Sequence, residues 1–339
     1  MLHILYSAAT RWRRRHPGRR RQLARPVISI GNIAVGGRAK TPMAELVARA
    51  LFEAGERPAI LSRGYGRERA VDRPVVVRDA DGVRAGLAES GDEPLMLAER
   101  LDGAIVVVAA DRARAGVVAE SLGATVHVLD DGFQHLRVAR DVDIVMLHPA
   151  DLTDAVMPVG RLREPVSALD DADAIVAVDD SESERALAAQ ALAGRRPRVF
   201  TAARHVSPPS ADLAGQTCVL VLGVAGVDHA AAAIRAAGWL VETERRFTDH
   251  HRYSVEDAEA IARDATAAGA AFVLTSAKDA VRLREVWTSP LPLHIAELRL
   301  AIDEREAFDR WLIGKFTQAR AALAESRLRA RQDGARRAS

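Results

Sequence analysis

From residue 26 onward the chain alternates short apolar runs with stretches in which apolar positions recur every three or four residues. The runs Val27–Ile30, Ala59–Leu61, Val75–Val77, Ile105–Ala109, Val126–Leu129, Ile144–Leu147 and Ile175–Val178 are too short for independent helices and read as buried strands. Helical patterns fit between most of them. Thr41–Phe52 carries Pro42 in its first turn, where proline is tolerated, and Arg112–Ser121 follows a later run. This βαβ rhythm predicts a mainly parallel sheet covered by helices on both faces.

An alanine-rich helical stretch after Ser181 leads into ArgArgProArg and SerProProSer, which mark a boundary near residue 205. Beyond it the spacing predicts strands at Cys218–Leu222, Leu240–Arg245, Phe272–Thr275 and Leu293–Glu297, with helices at Ala230–Ala237, Val255–Ala267 and Ala280–Val286. The expected organisation is therefore a basic segment (1–25), a nucleotide-type α/β domain (26–205), a smaller α/β domain closing a cleft (206–318) and a basic, disordered tail (319–339).

Composition narrows the class. With 339 residues and 48% hydrophobic content, the chain can supply two cores. A net charge of only +2 makes its basicity local rather than global. One cysteine, Cys218, excludes an internal disulfide framework and a cysteine-rich zinc site. Aromatic content of 4% counts against a single-strand nucleic-acid stacker, and no nucleic-acid partner is expected. No run reaches the roughly 20 apolar residues that span a bilayer. At the N-terminus, Leu2, Leu5, Tyr6, Ala9 and Trp12 recur at helical spacing, with Arg11, Arg13, Arg14, Arg15, Arg19, Arg20 and Arg21 among and after them. The pattern fits an interfacial helix on anionic lipid or a basic arm.

Candidate chemistry clusters at strand ends. The first strand runs through Gly31 and Asn32 into Gly36-Gly37-Arg38-Ala39-Lys40-Thr41, a glycine-bearing turn before a helix. Backbone N–H groups and the helix N-terminus favour phosphate there, Lys40 adds a charge and Thr41 is a magnesium ligand type. Alanine stands at 34 and 39, where the strict phosphate-loop pattern has glycine. A second strand ends in Asp130-Asp131-Gly132-Phe133-Gln134-His135, hard oxygens suited to Mg²⁺. Asp92 in Ser90-Gly91-Asp92-Glu93-Pro94 is either a helix cap or a general base. Arg63, Tyr65, Arg112 and Arg163 are candidates to line a cleft or stabilise a transferring phosphoryl group. Asp249-His250-His251 lacks further zinc ligands and suits a histidine that orients Asp92.

In this order the strings SerIleGlyAsnIleAlaValGlyGly, LysThrPro, SerArgGlyTyrGly, GlyAspGluPro, LeuAspAspGlyPheGlnHis, ArgAspValAspIle, LeuArgGluPro, AspHisHis and LysAspAlaVal resemble the tetraacyldisaccharide 4'-kinase family. The resemblance implies a P-loop fold of two α/β domains and transfer of the ATP γ-phosphate to the 4'-hydroxyl of a lipid A disaccharide 1-phosphate precursor. It implies a peripheral location on the cytoplasmic face of the bacterial inner membrane. Lys40 and Thr41 would hold phosphates and magnesium, with Asp130 and Asp131 organising the metal beside Gln134 and His135. Asp92 would be the base, supported by His250 or His251, and Arg63, Tyr65, Arg112 and Arg163 would line the cleft. Where the family loop usually reads GlyGlyThrGlyLysThrPro, this one reads GlyGlyArgAlaLysThrPro. Arg38 would either add a phosphate contact or obstruct the nucleotide. Obstruction leaves a weak or inactive nucleotide-binding protein as the alternative, beside a nucleic-acid-stimulated NTPase.

Overall fold

The computed structural model describes residues 2–16, 18–68 and 71–338. In chain order the first unit contains β1 (Val27–Asn32), β2 (Pro58–Ser62), β3 (Val75–Asp79), β4 (Gly82–Val83), β5 (Ile105–Val108), β6 (Val126–Asp130), β7 (Val142–Leu147), β8 (Ala174–Val178) and β9 (Arg198–Val206). The second contains β10 (Thr217–Leu222), β11 (Leu240–Arg246), β12 (Phe272–Ser276) and β13 (Leu293–Ala296), and β14 (Leu298–Ile302) follows. The first sheet has ten strands in the order β14-β9-β8-β7-β1-β6-β2-β5-β3-β4. It is parallel from β9 to β5, with antiparallel strands at both edges.

Helices α1 (Leu2–Arg15), α2 (Lys40–Glu53), α3 (Leu87–Ser90), α4 (Asp92–Arg100), α5 (Arg112–Ser121) and α6 (Glu182–Leu192) belong to this unit. Alternate strand residues face opposite sides, so each strand feeds two cores. Ile28, Ile30 and Val128 pack with Met43, Val47 and Leu51 of α2 and Leu97 of α4. Val27, Leu61 and Val107 point the other way, to Ala113, Ala115 and Ala119 of α5. Burial on both faces is why these strands read as mainly apolar runs.

The second sheet, ordered β11-β10-β12-β13, is all parallel and carries α7 (Val227–Ala236), α8 (Val255–Ala267) and α9 (Ala277–Leu283). The chain does not end there. β14 pairs antiparallel with β9, and α10 (Arg305–Ala338) buries Phe308, Leu312 and Phe316 in the first core. The expected second domain, 206–318, is corrected at its far end. β9, which the expected 26–205 domain contains but for Val206, gains β14 as a partner at its outer edge, and the aromatic stripe of α10 gains a sheet face, so the segment from β14 onward belongs to the first unit. The tail expected to be disordered continues α10 to Ala338. Among the described residues no helix is long and apolar enough to cross a membrane. The apolar stripe read at Leu2 and Leu5 concerns side chains outside those described.

Candidate active site

β1 and β6 are parallel neighbours, with Ile30 in register with Asp130. Their carboxyl ends therefore deliver the phosphate-loop candidate and the acidic pair to the same place, the usual ligand edge of such a sheet. Gly31 makes the approach close, since a Cβ there would meet the Cβ of Phe133 at 2.4 Å. After Asn32 the loop passes the exposed Gly36 and Gly37 and enters α2 at Lys40. Ala39 sits at φ 55°, ψ 28°, a left-handed conformation that glycine adopts freely. Lys40 Nζ lies 3.7 Å from Asp131 Oδ1, and Thr41 occupies the first turn of α2. The Arg38 guanidinium, the ambiguous element of the loop, is bound to a protein partner: its Nη2 and Nε donate to fully buried Asp151 at 2.6 and 3.0 Å.

Asp130 is buried, and its Oδ1 has no hydrogen-bond partner. Burial pushes its carboxyl up to about 7, aided by the negative charges of Glu93 and Asp131 and opposed by Lys40 and Arg112. Asp131 accepts from Arg163 Nη1 at 3.2 Å. The same guanidinium donates to Asn32 Oδ1 at 2.8 Å and Ala34 O at 3.1 Å, while Gln134 Nε2 donates to Asn32 O at 2.7 Å. Arg163 thus staples the acidic turn to the phosphate loop. Arg112 is buried, and its pKa is lowered by desolvation and by Arg63, against Asp131, Asp130 and Asp111. Burial and the charge of Arg112 push the His135 ring down to about 4, so it is neutral near pH 7.

Asp92 begins α4. The preceding Gly91, at φ 83°, lies so close to the SerArgGlyTyrGly loop that a Cβ would come within 2.5 Å of Tyr65 O. Asp92 Oδ1 accepts the Glu93 N–H at 2.9 Å. Its Oδ2 lies 2.9 Å from His250 Nδ1, across 158 residues of sequence. Lys278 Nζ stands 3.1 Å from the other ring nitrogen, Nε2. An ammonium has donors only, so this contact uses the Nε2 lone pair and leaves the ring proton on Nδ1, directed at Asp92. Tyr65 packs edge-on to the same ring, with centroids 5.4 Å apart. His251 is engaged elsewhere, 2.9 Å from Asp257 in the cap of α8. Of the two histidines, His250 is the one facing Asp92.

The fold also recruits side chains to which the sequence reading gave no role in this site. Glu93 presses its charge on Asp130 and pairs with Lys278 at 3.4 Å. Asn32 links Arg163 to Gln134. Arg14 of α1 lies 3.9 Å over the Phe133 ring and pairs with buried Glu164 at 2.6 Å. The GlyAspGluPro and LysAspAlaVal strings contain Glu93 and Lys278, and that adjacency was the available signal.

The assembled site offers a lysine at a helix start, a buried acid with an unpaired oxygen among like charges, and a carboxylate oriented by a histidine. The Tetraacyldisaccharide-1-P 4'-kinase family model matches residues 1–317. The chain belongs to the tetraacyldisaccharide 4'-kinase family. The tetraacyldisaccharide 4'-kinase of Anaeromyxobacter dehalogenans strain 2CP-C is 42% identical over 279 residues, covering 76% of this chain and 72% of that one. The Geobacter metallireducens kinase is 37% identical over 314 residues, covering 89% and 93%. The crystal structure of LpxK from Aquifex aeolicus in complex with ATP superposes with a TM-score of 0.75 at 26% identity, covering 93% of this chain and 97% of that one. The expected α/β fold of this kinase family is therefore the observed one.

Proposed function

We propose that the chain transfers the γ-phosphate of ATP to the 4'-hydroxyl of a lipid A disaccharide 1-phosphate precursor. The observation that carries this reading is the Asp92–His250 pair, set beside the acidic turn in a chain of this kinase family. Asp92 takes the proton of the acceptor hydroxyl as its oxygen attacks the γ-phosphorus. The bond to the β–γ bridging oxygen breaks and ADP departs. His250 holds the Asp92 carboxylate in place, and Lys278 fixes the ring's tautomer. Lys40 and the amide groups at the start of α2 bind phosphate oxygens. Arg112, Arg63 and Arg163 supply positive charge around the transferring group.

The residues fit a magnesium ion. The unpaired Oδ1 of Asp130 and the raised pKa of its carboxyl mark a place where positive charge is wanted. Asp130, Asp131 and Thr41 would hold the ion, which when bound neutralises charge on the phosphates. Engagement of Arg38 by Asp151 weighs against an inactive nucleotide binder, the alternative that rests on Arg38 and Ala39.

Transfer of radiolabelled γ-phosphate to the disaccharide 1-phosphate lipid tests the assignment. Asp92→Ala is expected to lose at least 100-fold in turnover, the scale of a general base, while still binding ATP. Near-normal transfer by that variant would sink it.

The location follows from the same reading: α1 lies peripherally on the anionic cytoplasmic face of the inner membrane. Its Trp12 is 64% exposed beside exposed Arg11, Arg13 and Arg15. Replacing those three arginines by glutamate is expected to abolish binding to phosphatidylglycerol vesicles. Turnover on detergent-dispersed acceptor should be spared.

A further inference from the structure

Arg282 lies on α9, one helical turn after Lys278, so both side chains share the face that meets α4. The Arg282 side chain is 4% exposed. Its Nη2 donates to Asp279 Oδ1 at 2.5 Å and to Gly223 O at 3.0 Å. Asp279 is fully buried and is held in turn by the Gly223 N–H at 3.1 Å, the Tyr253 hydroxyl at 3.0 Å and the Ser276 hydroxyl at 2.6 Å. Burial and the Asp279 charge push the Tyr253 hydroxyl far up, so it stays a donor. Arg282 therefore stands on an immobile pivot.

Its Nε donates to Lys278 O at 3.3 Å. Nη1 does not serve that pivot: it is buried without a hydrogen-bond partner among the described residues and lies 3.8 Å from Asp92 Oδ2. A buried guanidinium N–H left unmade calls for an explanation beyond packing. The Asp279 pair is already complete through Nη2, and the group facing Nη1 is the proposed base.

We propose that Arg282 is a positioning residue for Asp92, a second cationic partner that keeps its carboxylate aimed. The inference rests on Asp92 being the base. The charged groups around Asp92 are Arg282 and, through His250, Lys278 from α9; His250 and Asp249 from the segment before α8; and Glu93 from its own helix. With Oδ1 taken by the Glu93 N–H and Oδ2 set between His250 and Arg282, rotation of the carboxylate is restricted.

The test measures kcat, KM, ATP affinity and melting temperature for the full-length wild type, Asp92→Ala, Arg282→Lys and Arg282→Gln. Lysine keeps a charge for Asp279 but has no second nitrogen to reach Asp92. Arg282→Lys is expected to fold, to bind ATP as the wild type does, and to lose about 10-fold in kcat with KM unchanged. A purely structural role would lower the melting temperature and raise KM as kcat fell. Arg282→Gln should lose at least as much in kcat, and if it does not fold the lysine variant still decides. Wild-type kcat in Arg282→Lys, with Asp92→Ala inactive, overturns this inference alone. Full activity of Asp92→Ala overturns the base assignment and this inference with it.

Discussion

Arg38 and Asp151 join the phosphate loop to the turn after β7 through a two-pronged contact of 2.6 and 3.0 Å. Asp151 also accepts the His148 N–H at 3.0 Å, so the turn that holds it is itself fixed. An arginine that looked like an intruder in the loop is a tie across it.

Removing one partner should cost more than removing both. Arg38→Ala strands a buried carboxylate and is expected to lower unfolding stability by about 3 kcal/mol. The combined change Arg38→Met with Asp151→Leu should recover much of that loss. Urea titrations of the three proteins check this. A paired change that destabilises as much as Arg38→Ala, or more, would show that the stranded carboxylate is not the source of the loss.

Ala39 offers a gain. In its left-handed conformation alanine costs roughly 1–2 kcal/mol that glycine does not. Glycine gives back part of this through a more flexible unfolded chain, so Ala39→Gly is expected to stabilise by about 0.5–1 kcal/mol. A lower melting temperature would mean that the loop does not hold this conformation.

Asp130 predicts a pH dependence whose sign is opposite to that of an ordinary paired carboxylate. The folded state keeps its proton up to about 7, while the unfolded chain releases it near 3.9. Between those values the folded state binds more protons, so stability falls as pH rises. Asp130→Asn, which carries no charge, should therefore be more stable than wild type by a few kcal/mol at pH 8 in chelator. The advantage should vanish towards pH 4. Magnesium should raise the wild-type melting point at pH 8 and leave the variant's nearly unchanged. Parallel stability curves across this window would remove Asp130 as the strained acid.

The return of the chain to its first sheet is testable by packing. Phe308 is fully buried in the first core, and Phe308→Ala is expected to cost about 3–5 kcal/mol and to weaken ATP binding through unfolding of that unit. Arg310, exposed on the same helix and paired only with Glu306, should tolerate alanine within about 0.5 kcal/mol. Unfolding of the second unit alone in Phe308→Ala would contradict the sheet order.

How much of this was legible in the sequence depends on where each residue's partners lie. β1 and β6 are buried on both faces, so apart from Ser29 and Asn32 in one and His127 and Asp130 in the other their side chains are apolar or absent, and the runs stand out. β9 carries Arg198, Arg204 and His205 and follows a proline-bearing turn, so its pattern resembles a linker. β14 buries only Leu300 and Ile302, and nothing local says that its neighbour is β9. Lys40-Thr41 and Asp130-Asp131 are contiguous, and adjacency alone marks them. The choice of His250 over His251 needed the backbone: His250 turns to φ 60° and meets Asp92, while its neighbour caps α8. Arg282 was visible as a same-face companion of Lys278, but only the docking of α9 on α4 gives that face its target.

The seating of Arg14 on Phe133 has a geometric consequence. Phe133 lies two residues from Asp131, so the first helix is fastened to the acidic turn rather than hung from a tether. If that helix rests on a bilayer, the turn stands at a fixed height above the lipid headgroups. An acceptor embedded by its acyl chains then presents its sugar at a set elevation, and the enzyme would select substrates by how far their hydroxyl protrudes.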